Sequence, residues 1–291
     1  MSTTSLRWPA EAVWEAVAPL LPGFTVEVLP QVDSSNTELM RRARAGRADP
    51  VLLVAESQTA GRGRLGRTWQ GEPGASLMMS LGLSLAPADW SGLSLAVGVS
   101  VAESLQPTLP PPGQSARIGL KWPNDLWLEG DRKLGGILVE TASHVAPQAA
   151  TITTGVAPQA ARGTAGAASR YVVIGIGINV LPRAAEGLSM PPAALQEVDA
   201  TLDAPTALLR IVPPLVGMLQ AFEGYGFAPV QPRFAQRDLL TGRAVTLSDG
   251  RTGTAHGVDD SGALLVLTPQ GMEALTSSEI SVRPQGVPPA H

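Results

Sequence analysis

Two lysines and three asparagines are all that this chain holds of either type, and each stands beside other polar residues, glycines or a proline. They are Lys121, Lys133, Asn36, Asn124 and Asn179. They fall in Asp33-Ser34-Ser35-Asn36, Lys121-Trp122-Pro123-Asn124-Asp125, Arg132-Lys133-Leu134-Gly135-Gly136 and Gly175-Ile176-Gly177-Ile178-Asn179. Nearly all other positive charge is arginine. Codon bias explains why the two types are scarce, but not where the survivors lie. Glycine lets backbone approach a ligand, and Gly135-Gly136 would let a flat or chain-like ligand lie against a strand. An ammonium at Lys133 can neutralise a carboxylate attacking a phosphate, or the phosphoryl oxygens in transit.

Gly61-Arg62-Gly63-Arg64-Leu65-Gly66-Arg67 fits the dinucleotide pattern Gly-x-Gly-x-x-Gly. That fold needs a strand directly before the motif and a helix opening from it. Thr68-Trp69-Gln70-Gly71-Glu72-Pro73-Gly74 follows and cannot be a helix, so the Rossmann reading fails. What remains is a glycine-spaced arginine loop flanked by Gln58 and Trp69. Its free amides and guanidinium forks suit phosphate and carboxylate. Lacking a preset cradle, the loop is expected to fold over its ligand when the ligand arrives. A nucleic-acid backbone is a rival ligand for such a loop, but the segment is short and the net charge is -4.

Composition removes several chemistries. With no cysteine there is no disulfide, thiolate nucleophile or cysteine metal site. His144, His256 and His291 lie too far apart in sequence to suggest a metal centre or a Ser-His-Asp relay. No signal-like segment and no apolar run of the ~20 residues a bilayer needs stands out, so a cytoplasmic protein with no membrane association is expected.

The elements that must position these groups follow from periodicity. Residues 10–21 read as an amphipathic helix and 25–29 as a strand. A helix entered through the capping cluster Asp33 to Asn36 runs on toward Arg47, offering its first N–H groups as a polar pocket. Strands are expected at Val51–Glu56 and Ser76–Ser84, with the loop 57–75 between them, and a core helix at Ser91–Gln106. A strand ending at Lys121, a turn near Gly130-Asp131 and a strand at Lys133–Glu140 read as a hairpin. Asp125 alone could be simple turn chemistry.

Residues 141–170 repeat Val-Ala-Pro-Gln-Ala-Ala, at 145–150 and 156–161. This Ala/Pro/Thr/Gly tract is read as a disordered insert with no catalytic part. A buried strand resumes at Tyr171 and runs into Asn179, followed by helices at 205–223 and 230–239. From about 241 the texture becomes short β segments: Ala244–Leu247, Gly253–Val258, Leu264–Thr268 and Glu279–Val282. They indicate a small antiparallel barrel, and a division into domains 1–240 and 241–291.

With these segments in this order, the chain resembles the biotin protein ligases from about Asp33 to its C-terminus. The arginine-glycine loop, Lys-Trp-Pro-Asn-Asp and Lys-Leu-Gly-Gly-Ile-Leu-Val-Glu carry the likeness together. The resemblance implies an α+β fold: a mixed sheet with helices, related to class II synthetases and lipoate ligases, plus a C-terminal SH3-like β-barrel. It implies activation of biotin by ATP to biotinyl-AMP, then transfer to a lysine of the biotin carboxyl carrier protein of a biotin-dependent carboxylase. By the family pattern Ser34, Ser35, Asn36, Gln58, Gly61, Arg62, Gly63, Arg64 and Lys133 bind biotin. Ser35 stands where threonine is usual, keeping the hydroxyl and losing a methyl contact. Arg67, Trp69, Lys121, Asn124, Asp125, Lys133 and Asn179 bind ATP. Lys133, Arg62 and Arg64 are the implied catalytic residues, and Mg²⁺ arrives on ATP with no site fixed by the protein.

Some members of that family carry an N-terminal winged-helix domain and repress genes. Too few residues precede Asp33 for one here, so no DNA binding is expected, while an exposed strand leaves room for a homodimer. The rival readings are a lipoate ligase and a non-catalytic biotin or nucleotide sensor. The polar Ser34-Ser35-Asn36 and Gln58 set suits a ureido ring better than a dithiolane, which offers no hydrogen-bonding partners.

Overall fold

The computed structural model describes residues 6–111, 116–143, 169–185, 190–276 and 282–285. Helix α1 (Ala10–Val17) stops short of the predicted 21, because Pro19 and Pro22 cannot continue it. Strand β1 (Thr25–Leu29), helix α2 (Ser35–Arg44) and strand β2 (Val51–Ala55) follow. Then come β3 (Ser76–Leu85) and helix α3 (Leu93–Leu105). Next are β4 (Gly119–Lys121), β5 (Asp125–Leu128), β6 (Arg132–Ser143) and β7 (Arg170–Asn179). These strands form one mixed sheet in the order β1-β2-β3-β7-β6-β5-β4, parallel between β1 and β2 and antiparallel elsewhere.

The hairpin expected after Lys121 has a different make-up. Strand β4 ends at Lys121 and pairs with β5, so Lys121 lies directly opposite Asp125. The turn at Gly130-Asp131 then joins β5 to β6. Strands β6 and β7 pair out to Ser143 opposite Arg170. Ladder hydrogen bonds therefore claim residues 141–143 and 170, which composition had assigned to the insert; its middle, 144–168, lies outside the described residues.

Period-2 alternation gives the sheet two unlike faces. On β7, Val172, Ile174, Ile176 and Ile178 join the main core with α1, α3 and helix α4 (Ala204–Tyr225). The opposite face carries Tyr171, Val173, Gly175, Gly177 and Asn179. Helix α2 covers part of it, packing Leu39, Met40 and Ala43 on Leu53, Tyr171 and Val173. Helix α4 has the length and hydropathy of a bilayer-crossing helix, yet it buries Leu208, Ile211, Leu215, Leu219 and Phe222 in the core of this protein. Asp203 caps it, accepting from Thr206 N–H at 2.8 Å. Helix α5 (Gln231–Ala235) is a single short turn, shorter than the predicted 230–239.

The remaining strands, β8 (Ala244–Leu247), β9 (Thr252–Val258), β10 (Leu264–Thr268), β11 (Gly271–Leu275) and β12 (Val282–Pro284), form a separate antiparallel sheet in the order β11-β10-β9-β8-β12, an SH3-like arrangement. Strand β11, Gly-Met-Glu-Ala-Leu, lacks β-branched residues and so escaped the sequence reading. The last strand starts at Val282 within the predicted 279–282, of which 279–281 lie outside the described residues. The two sheets are locked together. Arg243 forks onto Asp131 at 2.6 and 2.7 Å, and the Trp122 indole N–H donates to Gly262 O at 3.1 Å.

Candidate active site

Between the arginine loop, the α2 face of the large sheet and strand β12 lies a cleft of about 480 Å³. All the predicted site residues line it except Gly61. Gly61 serves the loop instead, because a Cβ there would collide with the Trp69 carbonyl. Four of the five buried side-chain polar atoms without a partner, among the described residues, belong to cleft residues: Trp69, Trp127, Asn179 and Arg183. Unpaired buried polar atoms are rare in folded proteins, so their concentration here marks a surface built for a polar ligand.

One end of the cleft is neutral and polar. Ser34 adopts extended backbone and caps α2, its hydroxyl accepting from Thr37 N–H. The next residue, Ser35, donates its backbone N–H to Gln58 Oε1 at 2.8 Å. Ser80 Oγ on β3 lies 2.7 Å from Ser35 Oγ and 2.6 Å from Asn36 Oδ1. With one proton to give, the Ser80 hydroxyl donates to the Asn36 amide oxygen, and the Ser35 hydroxyl gives its own proton to one of two acceptors, Ser80 Oγ or Gln58 Oε1 at 3.1 Å. Asn36 donates in turn to Leu138 O at 3.2 Å and to Glu140 at 3.0 Å. Its amide rests on Gly175, where any Cβ would strike it.

The arginine loop, expected to lack a preset cradle, is bonded to itself. Gly63 N–H donates to Arg67 O at 2.7 Å, and Trp69 N–H to Gly61 O at 2.9 Å. The turn needs left-handed backbone at Leu65 (φ 55°) and Gly66 (φ 72°). Arg62 reaches out to Thr37 at 3.3 Å and Glu140 at 3.2 Å. Arg64 spans the cleft to Asn124 Oδ1 at 3.3 Å. The Trp69 ring lies against Gly177 of β7, where a Cβ would come within 2.5 Å of it.

The other end is charged. Lys133 Nζ binds Asp125 Oδ1 at 2.7 Å. Burial raises the Asp125 pKa, but the ammonium groups of Lys133 and Lys121 outweigh it and hold the carboxyl below its usual value. Lys121 stands over the Trp127 ring, 5.6 Å from the centroid. Burial pulls its pKa down to about 8, although Asp125 opposes the shift. Asn124 donates to Ile137 O at 2.7 Å, while Asn179 donates to Lys133 O at 3.2 Å and keeps its carbonyl oxygen unpaired.

Sequence reasoning missed Trp127 and the β12 wall of Val282, Arg283 and Pro284, which line the cleft, and Ser80, which holds Ser35 and Asn36 from behind. Ser80 left one signal, a hydroxyl in the middle of an apolar run. Trp127 is two residues beyond Asp125 and would have followed had β5 been recognised. The β12 wall had no local signal.

Comparison with known proteins agrees with this geometry. The family described as "Biotin/lipoate A/B protein ligase family" matches residues 28–157, and "Biotin protein ligase C terminal domain" matches 240–283. The chain is 35% identical over 270 residues to a bifunctional ligase/repressor of Escherichia coli, covering 90% of this chain and 75% of that protein. It is 33% identical over 251 residues to a biotin–[acetyl-CoA-carboxylase] ligase of Mycobacterium tuberculosis, covering 82% of each. The structure resembles that of a biotin protein ligase from Aquifex aeolicus in complex with biotin and ATP, with a TM-score of 0.68 and 26% identity. That match covers 89% of this chain and 98% of the other.

Proposed function

The chain belongs to the biotin/lipoate A/B protein ligase family, and within it to the biotin protein ligases; from that premise we propose that it joins biotin to one lysine of a biotin carboxyl carrier protein domain. The observation that carries this reading is the polarity of the cleft. A neutral hydrogen-bonding end at Ser34, Ser35, Asn36 and Gln58 leads into a cationic end at Arg64, Arg67, Lys121 and Lys133. A molecule with a neutral polar head and a carboxylate tail fits that order, with triphosphate beyond it.

In the proposed first step a biotin carboxylate oxygen attacks the α-phosphorus of ATP. The α–β anhydride bond breaks and pyrophosphate leaves. Lys133 sits between the two anions, and Arg64 closes the loop over the adenylate. In the second step the carrier amine attacks the acyl carbon, loses a proton and expels AMP. No protein nucleophile takes part; catalysis is positioning and electrostatics. Trp69, Asn124 and Asn179 hold the nucleotide, whose phosphates would carry Mg²⁺ as counter-charge with no ligand set fixed by the protein. Ser35, whose proton is taken up within the protein by Ser80 or Gln58, keeps lone pairs to accept a ureido N–H. A dithiolane would leave that acceptor unpaired, which disfavours lipoate. The cytoplasm is the proposed compartment, where ATP and unmodified carrier meet.

The test is to incubate the protein with biotin, ATP and an unmodified carrier domain. One biotinyl group on one carrier lysine is expected; label spread over many lysines, or none, would refute carrier specificity.

Two glycines separate the ends. Gly175→Ala displaces an Asn36 held by three hydrogen-bond partners, so KM for biotin should rise at least about tenfold with KM for ATP nearly unchanged. Gly177→Ala tilts Trp69 and should reverse the pattern. Steady-state kinetics of both variants decide; equal effects on both substrates would contradict the assignment of ends.

Lys121 supplies a pH dependence. It is charged below about 8 and neutral above, so kcat/KM for ATP, which reports the free enzyme, should fall as pH rises through that value. Pyrophosphate exchange without carrier is the assay, and Lys121→Met should lack the alkaline limb. A limb that survives in that variant belongs to another group.

A further inference from the structure

Trp127 belongs to no motif that the sequence singles out, yet it stands at the cationic end of the cleft. Strand alternation from Asp125 brings its side chain to the site face. The residue is 2% exposed, and its indole N–H is buried without a partner. An indole nitrogen can only donate, so the missing partner is an acceptor. The ring already carries the Lys121 ammonium over its face.

The surrounding charge narrows what that acceptor is. Arg67, Lys121 and Lys133 are set against one carboxylate among the described residues, Asp125, which is itself bonded to Lys133. A neutral acceptor would satisfy the indole and leave the excess of positive charge unmet. A single carboxylate would meet only part of it. A diphosphate supplies both several acceptor oxygens and enough negative charge.

Resting on the adenylating reading above, we propose that Trp127 and Lys121 form the subsite of the departing pyrophosphate. When the α–β anhydride bond breaks, its electron pair stays on the bridging oxygen, which leaves with the pyrophosphate. The Trp127 N–H donates to that diphosphate, and the ring holds Lys121 beside it as counter-charge. The subsite acts in the first half-reaction alone, because biotinyl-AMP carries no diphosphate.

Trp127→Phe tests this, since it keeps the aromatic face under Lys121 and removes only the N–H. KM for pyrophosphate in the biotin-dependent exchange should rise about tenfold, the loss of one charge-assisted hydrogen bond. Biotin affinity, and single-turnover transfer from preformed biotinyl-AMP to carrier, should stay within about twofold of wild type, a split that general distortion would not give. An unchanged KM for pyrophosphate, or transfer reduced as much as exchange, overturns the proposal. Should the variant fail to fold, the wild-type protein decides: its Trp127 indole N–H resonance should move on titration with inorganic pyrophosphate, and a stationary resonance overturns the proposal. Absence of biotin-dependent exchange in the wild type would instead sink the adenylation reading itself.

Discussion

Lys133→Ala is expected to lower biotin-dependent exchange of pyrophosphate into ATP by about a thousandfold, the upper range for losing one preorganised transition-state donor. Two causes add. The ammonium that would sit between carboxylate and α-phosphate is gone, and Asp125, 2.7 Å from it in the wild type, is left as a buried carboxylate near the incoming phosphates. Without its nearest cation the Asp125 pKa must rise, since burial already pushes it upward. The double variant Lys133→Ala/Asp125→Asn should therefore recover part of the loss, a coupling that two independent sites would not show. Exchange rates of the two single variants and the double, with circular dichroism to verify folding, supply the cycle. A loss under tenfold in folded Lys133→Ala would remove Lys133 from the reaction.

The second large effect is expected from Arg64→Gly. Arg64 ties the loop to the far wall of the cleft through Asn124. Without that tie, biotinyl-AMP should dissociate about a hundredfold faster, equivalent to about 3 kcal/mol at the hundredfold scale. Free mixed anhydride acylates any accessible amine, so an unrelated bystander protein should become biotinylated in the presence of the variant and remain unlabelled with wild type. Bystander labelling at the wild-type level would mean that Arg64 does not retain the intermediate.

Much of the cleft's lining could be read from the sequence because its residue types are so rare here. Lys121, Lys133, Asn36, Asn124 and Asn179 meet at one cleft although up to 143 positions separate them. The capped entry to α2 was also legible, because N-capping is a local signal: Ser34 at the cap needs only Thr37. What stayed hidden depends on long-range pairing. Strand β5 is four residues long and follows Pro123-Asn124, which locally read as a turn; only its ladders to β4 and β6 make it a strand. Trp127 went unnoticed with it. The glycines of β7 were visible as a motif, but their purpose was not. Gly175 and Gly177 are bare because Asn36 and Trp69 lie on them, and those partners are fixed by tertiary structure. Nor could any local pattern show β12 reaching the cleft from the smaller sheet. The arginine loop was recognised by its composition, whereas its self-bonded turn depends on left-handed backbone at Leu65, a conformation its sequence does not advertise.

Pyrophosphate exchange into ATP by the purified protein, with biotin in one reaction and lipoate in another, decides whether this protein adenylates biotin. Biotin adenylation predicts exchange that requires biotin, is absent with lipoate and is lost in Lys133→Ala. Exchange that requires lipoate, or none with either acid despite tight biotin binding, would contradict it.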